Sequence, residues 1–277
     1  DIYIYTFDFY KYENPKVSGL VINDFFRKEN QIEIILDRDH FNEMNLKRKA
    51  AIKQTILLSG DDDFVPAKVR YEGETYEVKL RLKGDWTDHL GENKWSFRII
   101  MEGEETLLGM RKFSLHHPKA RNYIGEWIFH ELLKREDVLN LQYDFINVQM
   151  TVQDGFNSEE MDWGVYAIEE AFDKYLLERN HRREGPILKI DESALWEERV
   201  NYINDKMNLL EIPNQTFVQY NETPVVPFSE GKTMKDSTLR KQFLTGRDLF
   251  RAYLNEEVPP SAVFDVQRLA KFNAVCA

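Results

Sequence analysis

The stretch Val78-Lys79-Leu80-Arg81-Leu82-Lys83-Gly84-Asp85-Trp86, followed after a short loop by Gly91-Glu92-Asn93-Lys94-Trp95-Ser96-Phe97-Arg98-Ile99-Ile100, alternates apolar and polar residues on both sides of that loop. In a strand, alternate residues share a face. Lys79, Arg81 and Lys83 therefore fall on one face, with Val78, Leu80 and Leu82 on the other. In the second strand Lys94, Ser96 and Arg98 share a face, and Trp95, Phe97 and Ile99 point away. Adjacent pairing makes the two cationic faces coincide. Gly84 and Gly91 let backbone N–H groups approach an anion closely. A phosphate suits such a site. A solvated sheet face with an ordinary hairpin loop gives the same alternation.

Working outward, Val65–Tyr71 and Tyr76–Leu82 flank Glu72-Gly73-Glu74 and read as a hairpin. Upstream, Asp1–Tyr12 and Ile32–Leu36 read as strands, and Asp37 caps a helix running to about Gln54. Gly60-Asp61-Asp62-Asp63 is a plain turn, because the alternating oxygen ligands of a calcium loop are missing. Downstream come strands at Trp95–Met101 and Phe113–Leu115, a helix at Ala120–Arg135, and strands at Tyr143–Val152 and Trp163–Ile168. A helix at Glu170–Asn180 and a short strand at Ile187–Ile190 follow. Beyond them the pattern predicts helices at Ser193–Asn208 and Asp236–Asn255, a polar excursion over Glu211–Lys235, and a last helix capped by Asp265. The order is strands, helix, strands, then mostly helices, an α+β chain with an antiparallel sheet lobe followed by a helical lobe.

The composition bounds the function. The chain has 277 residues, 42% hydrophobic and 13% aromatic, enough to bury a real core. The net charge of -11 argues against a broad nucleic-acid surface. The one cysteine, Cys276, excludes an internal disulfide or a cysteine zinc site. No apolar run approaches the roughly 20 residues that span a bilayer. His116-His117 are adjacent, so on a strand they point to opposite faces and do not share a metal. His181-Arg182-Arg183 sits where cations favour a helix C-terminus.

Val78–Ile100 resembles the "RLRGNS…KKSFRI" region of the CotH (spore coat protein H) family of atypical protein kinases. Further similarities follow in order: Leu108–Phe113 to "LLGLKKF", Arg121-Asn122 to "RN", Trp163–Glu170 to "GVYLLTE", Gly185–Lys189 to "GxLYK", and Phe264–Ala270 to "FDVDSLA". The resemblance covers roughly Val65 to Ala277. It implies an atypical protein-kinase-like fold with an antiparallel sheet N-lobe and the start of a helical C-lobe. The corresponding domains are a strand/helix extension over 1–64, a nucleotide-facing lobe over 65–192, and an insertion with the beginning of the C-lobe over 193–277.

The resemblance also implies ATP with Mg²⁺ or Mn²⁺ as cofactors, γ-phosphoryl transfer to Ser/Thr of a surface or coat protein, and a secreted or cell-surface location. On the matching positions, Lys94 meets the ATP phosphates with Arg81 beside it, and Lys83-Gly84 belongs to the same loop. Glu170 lies near the nucleotide at a strand end, and Lys189 at the cleft. Glu126 and Glu131 are candidate partners for the buried lysine.

There are departures. Lys83 stands where the family has arginine, without its bidentate fork. Asp85-Trp86 replace small polar residues. Glu169 precedes Glu170, so the acidic role slips between them by one residue. The family's histidine–asparagine loop and "WDLD"-like segment follow the position of the last helix, so the catalytic residues are expected beyond Ala277, with this stretch inactive by itself. The alternative is a non-catalytic surface-binding, adhesion or structural module.

Overall fold

The computed structural model describes residues 30–91, 94–191 and 223–277. The strand expected at residues 1–12, the helix at 193–208 and the first part of the 211–235 excursion lie outside them.

Seven strands form a closed barrel in the order β1-β2-β3-β4-β5-β7-β6. They are β1 Gln31–Asp37, β2 Val65–Tyr71, β3 Glu74–Leu82, β4 Phe97–Met101, β5 Lys112–His116, β6 Tyr143–Asp154 and β7 Asn157–Glu170. The β2–β3 hairpin turns on Glu72 and Gly73, both at positive φ (50° and 86°), as a two-residue loop between right-twisted strands requires. β6 and β7 form the longest pair, joined by the two-residue turn Gly155-Phe156.

The barrel overturns the kinase-like expectation of an open antiparallel N-lobe sheet followed by a helical C-lobe. Closure comes from β1, which pairs antiparallel with β2 and parallel with β6, Gln31 opposite Asn147 through Asp37 opposite Gln153. The sheet is therefore mixed, and neither end strand keeps a free edge. Local periodicity identifies β1 as a strand. It carries no signal for a partner more than a hundred residues away.

Alternation decides what fills the barrel. Ile32, Ile34, Val69, Val78, Leu80, Phe97, Ile99, Phe113, Leu115, Val148, Met150 and Tyr166 point inward and are buried. α1 (Arg38–Gln54) packs on the same cluster through Phe41, Met44 and Ala51, with Phe41 stacked on Trp95 at 5.2 Å between ring centroids. Trp163 lies 5.4 Å from both Trp95 and Phe97.

The charged residues of β3, β4 and β5 then face outward. α2 (Gly125–Arg135) packs against β6, and the start of α3 (Lys174–Arg179) lies beside Ile100 and Lys112 of that outer wall. The two-stranded sheet of β8 (Leu188–Ile190) and β9 (Val225–Pro227) follows, then α4 (Glu230–Lys235) and α5 (Ser237–Leu254). Part of the 211–235 excursion is thus regular structure. α6 (Val266–Cys276) is capped as expected, Asp265 accepting from the N–H groups of Gln267 and Arg268. No described helix is long and apolar enough to cross a membrane.

Candidate anion-binding site

Strand register places a row of polar groups across the outer wall. Arg81 of β3 is opposite Arg98 of β4, Arg98 is opposite Ser114 of β5, Ser114 is opposite Glu169 of β7, and Glu169 is opposite Tyr143 of β6. Two guanidinium residues directly across a ladder repel each other. Arg81 has neighbours of its own. One guanidinium nitrogen donates to Ser59 Oγ and to the Leu82 carbonyl (3.1 Å), and the group lies 5.0 Å from the Phe64 ring centre. Arg98 has no hydrogen bond or ion pair to any described residue. Ser114 Oγ, beside it, is buried without a hydrogen-bond partner among the described residues. Burial pushes the Arg98 guanidinium's pKa down; Glu169 opposes that, and Arg81 adds to it.

Just past the end of β3, Lys83 enters a buried triangle. Its Nζ donates to Glu169 Oε2 at 2.9 Å and lies 2.8 Å from His116 Nε2, which itself contacts the same Glu169 oxygen. Burial pushes the Lys83 ammonium down to about 8, against the pull of Glu169. Burial alone would raise Glu169; Lys83 and the His116 hydrogen bond outweigh it and hold the carboxyl well below its usual range. His116, fully buried on β5, is pushed down to about 4 by burial and stays neutral at physiological pH. Nε2–H directed at the carboxylate then leaves Nδ1 as the bare nitrogen, and that atom is buried without a partner among the described residues.

The loop after Lys83 is packed. Gly84 adopts φ +111°, and a Cβ there would lie 2.4 Å from the His89 ring. His89 Nδ1 in turn lies 3.0 Å from Ser96 Oγ, and the Lys83 N–H donates to the Ser96 carbonyl at 2.8 Å. The open side of Gly84 is thus filled by the protein's own imidazole.

The other expected site residues divide. Lys94 precedes β4 and donates to the Val165 carbonyl at 2.9 Å, its ammonium 5.3 Å from the Tyr166 ring centre, so it does not join Arg81. Glu170 is 2% exposed and bound by Arg179 and the Gln142 N–H; Glu169 is the acid that meets the lysine. Glu126 contacts Arg121 at 3.0 Å and Glu131 contacts Lys134, so neither is the direct partner of Lys83. Lys189, on β8, lies 5.6 Å from the Phe228 ring centre and exerts its charge on Asp85 together with Lys83, Arg81 and Arg121. His117 accepts from the Lys119 N–H and turns away from His116.

Arg98, His116, Ser114 and Glu169 escape a reading by motif. The period-2 pattern puts Arg98 on the Arg81 face, but only the β4–β5–β7 register brings Ser114, His116 and Glu169 there. A cavity of about 440 Å³ opens two residues along β4 from Arg98, at the Ile100–Lys112 pair. Asp173, Tyr175, Phe228 and Thr233 are among the residues of its wall, together with Glu104 and Glu184, and Phe228 stacks on Phe172 at 4.7 Å. Its size is that of a small-molecule site.

No protein-family model matches the chain, and no curated protein matches it. The resemblance to the CotH family therefore stands on the short matches quoted above.

Proposed function

We propose that the outer barrel wall binds ATP. The phosphates lie on the Arg81–Arg98–Ser114 row and the base enters the adjoining cavity. The observation that carries this reading is Arg98, which stands opposite Arg81 in the ladder and has no hydrogen bond or ion pair to any described residue. A bound polyanion removes the repulsion and supplies the missing acceptor. Lys112 extends the cationic path into the cavity; burial lowers its pKa first, then Arg98 and Arg81. Phosphoryl transfer is mostly positioning and charge neutralisation, so such a row suits it.

Together with the CotH resemblance, the row supports a phosphotransferase acting on Ser/Thr of a surface or coat protein outside the cytoplasm. The described residues include no group of three or more metal-ligating side chains. Mg²⁺ is commonly held by one or two carboxylates plus substrate phosphates, so Mg²⁺ or Mn²⁺ would arrive with the nucleotide.

A non-catalytic binding module is the second reading. It is favoured by the occupation of Lys94 by Val165 and of the Gly84 side by His89, two positions the resemblance gives to the nucleotide. Calorimetric titration of ATP with Mg²⁺ at low salt tests both. Saturable binding is expected, and absence of heat at millimolar ATP sinks the nucleotide reading. Transfer of labelled γ-phosphate to protein hydroxyls separates an enzyme from a binding module.

A further inference from the structure

Lys83, the residue just after β3, lies diagonal to Arg98 of β4. Arg81 is opposite Arg98, Lys83 is two residues beyond Arg81 on the same face, and the Lys83 N–H is bonded to the Ser96 carbonyl two residues before Arg98. Diagonal neighbours lie about 7–8 Å apart, within reach of one small ligand. Lys83 Nζ is held 2.9 Å from Glu169 Oε2 and 2.8 Å from His116 Nε2, and its side chain keeps 15% exposure. We propose that Lys83 is a covalent capture site for phosphorylated aldehydes, with the phosphate on Arg81 and Arg98 and the carbonyl carbon on Lys83 Nζ.

This shares the anion row with the ATP reading but needs no nucleotide. The uncharged amine adds to the carbonyl carbon, forming a C–N bond while the carbonyl pair moves to oxygen, which takes up a proton. The carbinolamine then loses that oxygen as water, carrying off the two hydrogens of the amine. The product is an imine, and no oxidant or reductant is involved.

The surroundings favour the amine. Burial comes first and brings Lys83 down to about 8; Arg98 of β4 and Arg121, in the turn after β5, add to it, while Glu169 of β7 opposes. His116 of β5 stays neutral and brings no further positive charge. Glu126 of α2 and Asp85 of the loop are the other acids that feel the Lys83 charge. A lysine with an ordinary pKa is almost wholly protonated at the same pH. After imine formation Glu169 keeps its contact with His116.

The probe is pyridoxal 5′-phosphate, followed by imine absorbance and by borohydride reduction with peptide mapping. Labelling is expected at Lys83, stronger at pH 8 than at pH 6.5, and about tenfold weaker with pyridoxal, which lacks the phosphate. Lys83→Arg keeps the cation and should abolish the label, whereas Lys68→Arg, at the exposed ion pair with Glu77, should not. Mapping on the unaltered chain decides the site even if a variant unfolds. Label spread over many lysines, label on Lys112, or equal reaction with pyridoxal overturns the proposal. Phosphate-dependent label on Lys83 that excess ATP fails to displace supports capture and counts against the nucleotide reading. ATP binding with no Lys83 label does the reverse.

Discussion

Glu169 and Glu170 are consecutive in β7 and point to opposite sides, and their surroundings differ in one respect. Glu170 is enclosed by donors that are themselves tied to their neighbours. Arg179 donates Nε to its Oε2 at 3.0 Å and also bonds the Asn140 carbonyl at 2.6 Å. Gln142 N–H donates to the carboxylate at 2.8 Å, and Asn140 and Asn180 join each other at 2.9 Å. Glu169 is also buried, but its neighbourhood is left incomplete: among the described residues Arg98 has no partner, and Ser114 Oγ and His116 Nδ1 have none. The closed cluster ties β7 to α3 and the segment before β6. The open one retains unspent donors beside a cavity. Completeness of partners, not burial or charge, separates scaffold from site.

The largest expected effect is on the closed side. Arg179→Met strands the Glu170 carboxylate, and breaking such a buried pair should cost about 3–5 kcal/mol in urea unfolding. A loss no larger than that of a surface substitution would remove the contrast. Gly84→Ala should come next, at about 1–3 kcal/mol, because the methyl meets the His89 ring and φ is positive. An unperturbed variant would mean that the loop is free rather than packed.

Acid sensitivity follows from the open cluster. His116 has a folded pKa of about 4 against 6.5 when free, so the unfolded chain binds the extra proton in that window. The stability it contributes is complete above pH 6.5 and is lost as pH falls toward 4. His89 is depressed likewise by burial and steepens the same slope. Glu169, held well below its usual range, adds stability above its unfolded pKa that goes as pH falls through its lower folded value. His116→Gln should flatten the curve between pH 6.5 and pH 4 in urea titrations; an unchanged slope would place the titration elsewhere. The smallest effect is expected at Lys94. Lys94→Met removes the bond to the Val165 carbonyl, should cost about 1 kcal/mol, and should leave ATP affinity unchanged. A marked loss of ATP binding would restore Lys94 to the phosphate site.

Much of the element sequence was legible because it is local. The β2–β3 hairpin, the outward placement of Lys79 and Arg81, and the Asp265 cap follow from period-2 alternation, turn chemistry and a capping carboxylate. The barrel was not, because β1 meets β6 by a parallel pairing that leaves no trace in either strand's own pattern. The site was half legible for the same reason. Arg81 and Lys83, the residue after β3, are two apart in sequence and could be grouped by eye, whereas His116 and Glu169 arrive from β5 and β7. Lys94 stands apart from Arg81 because β4 starts only at Phe97, so strand alternation does not extend back to it.

The anion row is tested most directly by replacing Arg98 with methionine and measuring ATP affinity and unfolding on the same preparation. Removing a guanidinium that no described residue satisfies should not lower the unfolding midpoint, while ATP binding should weaken by at least about tenfold, or 1.4 kcal/mol. Unchanged ATP affinity, or a loss of stability comparable to that of Arg179→Met, would show that Arg98 belongs to the scaffold and not to a binding site.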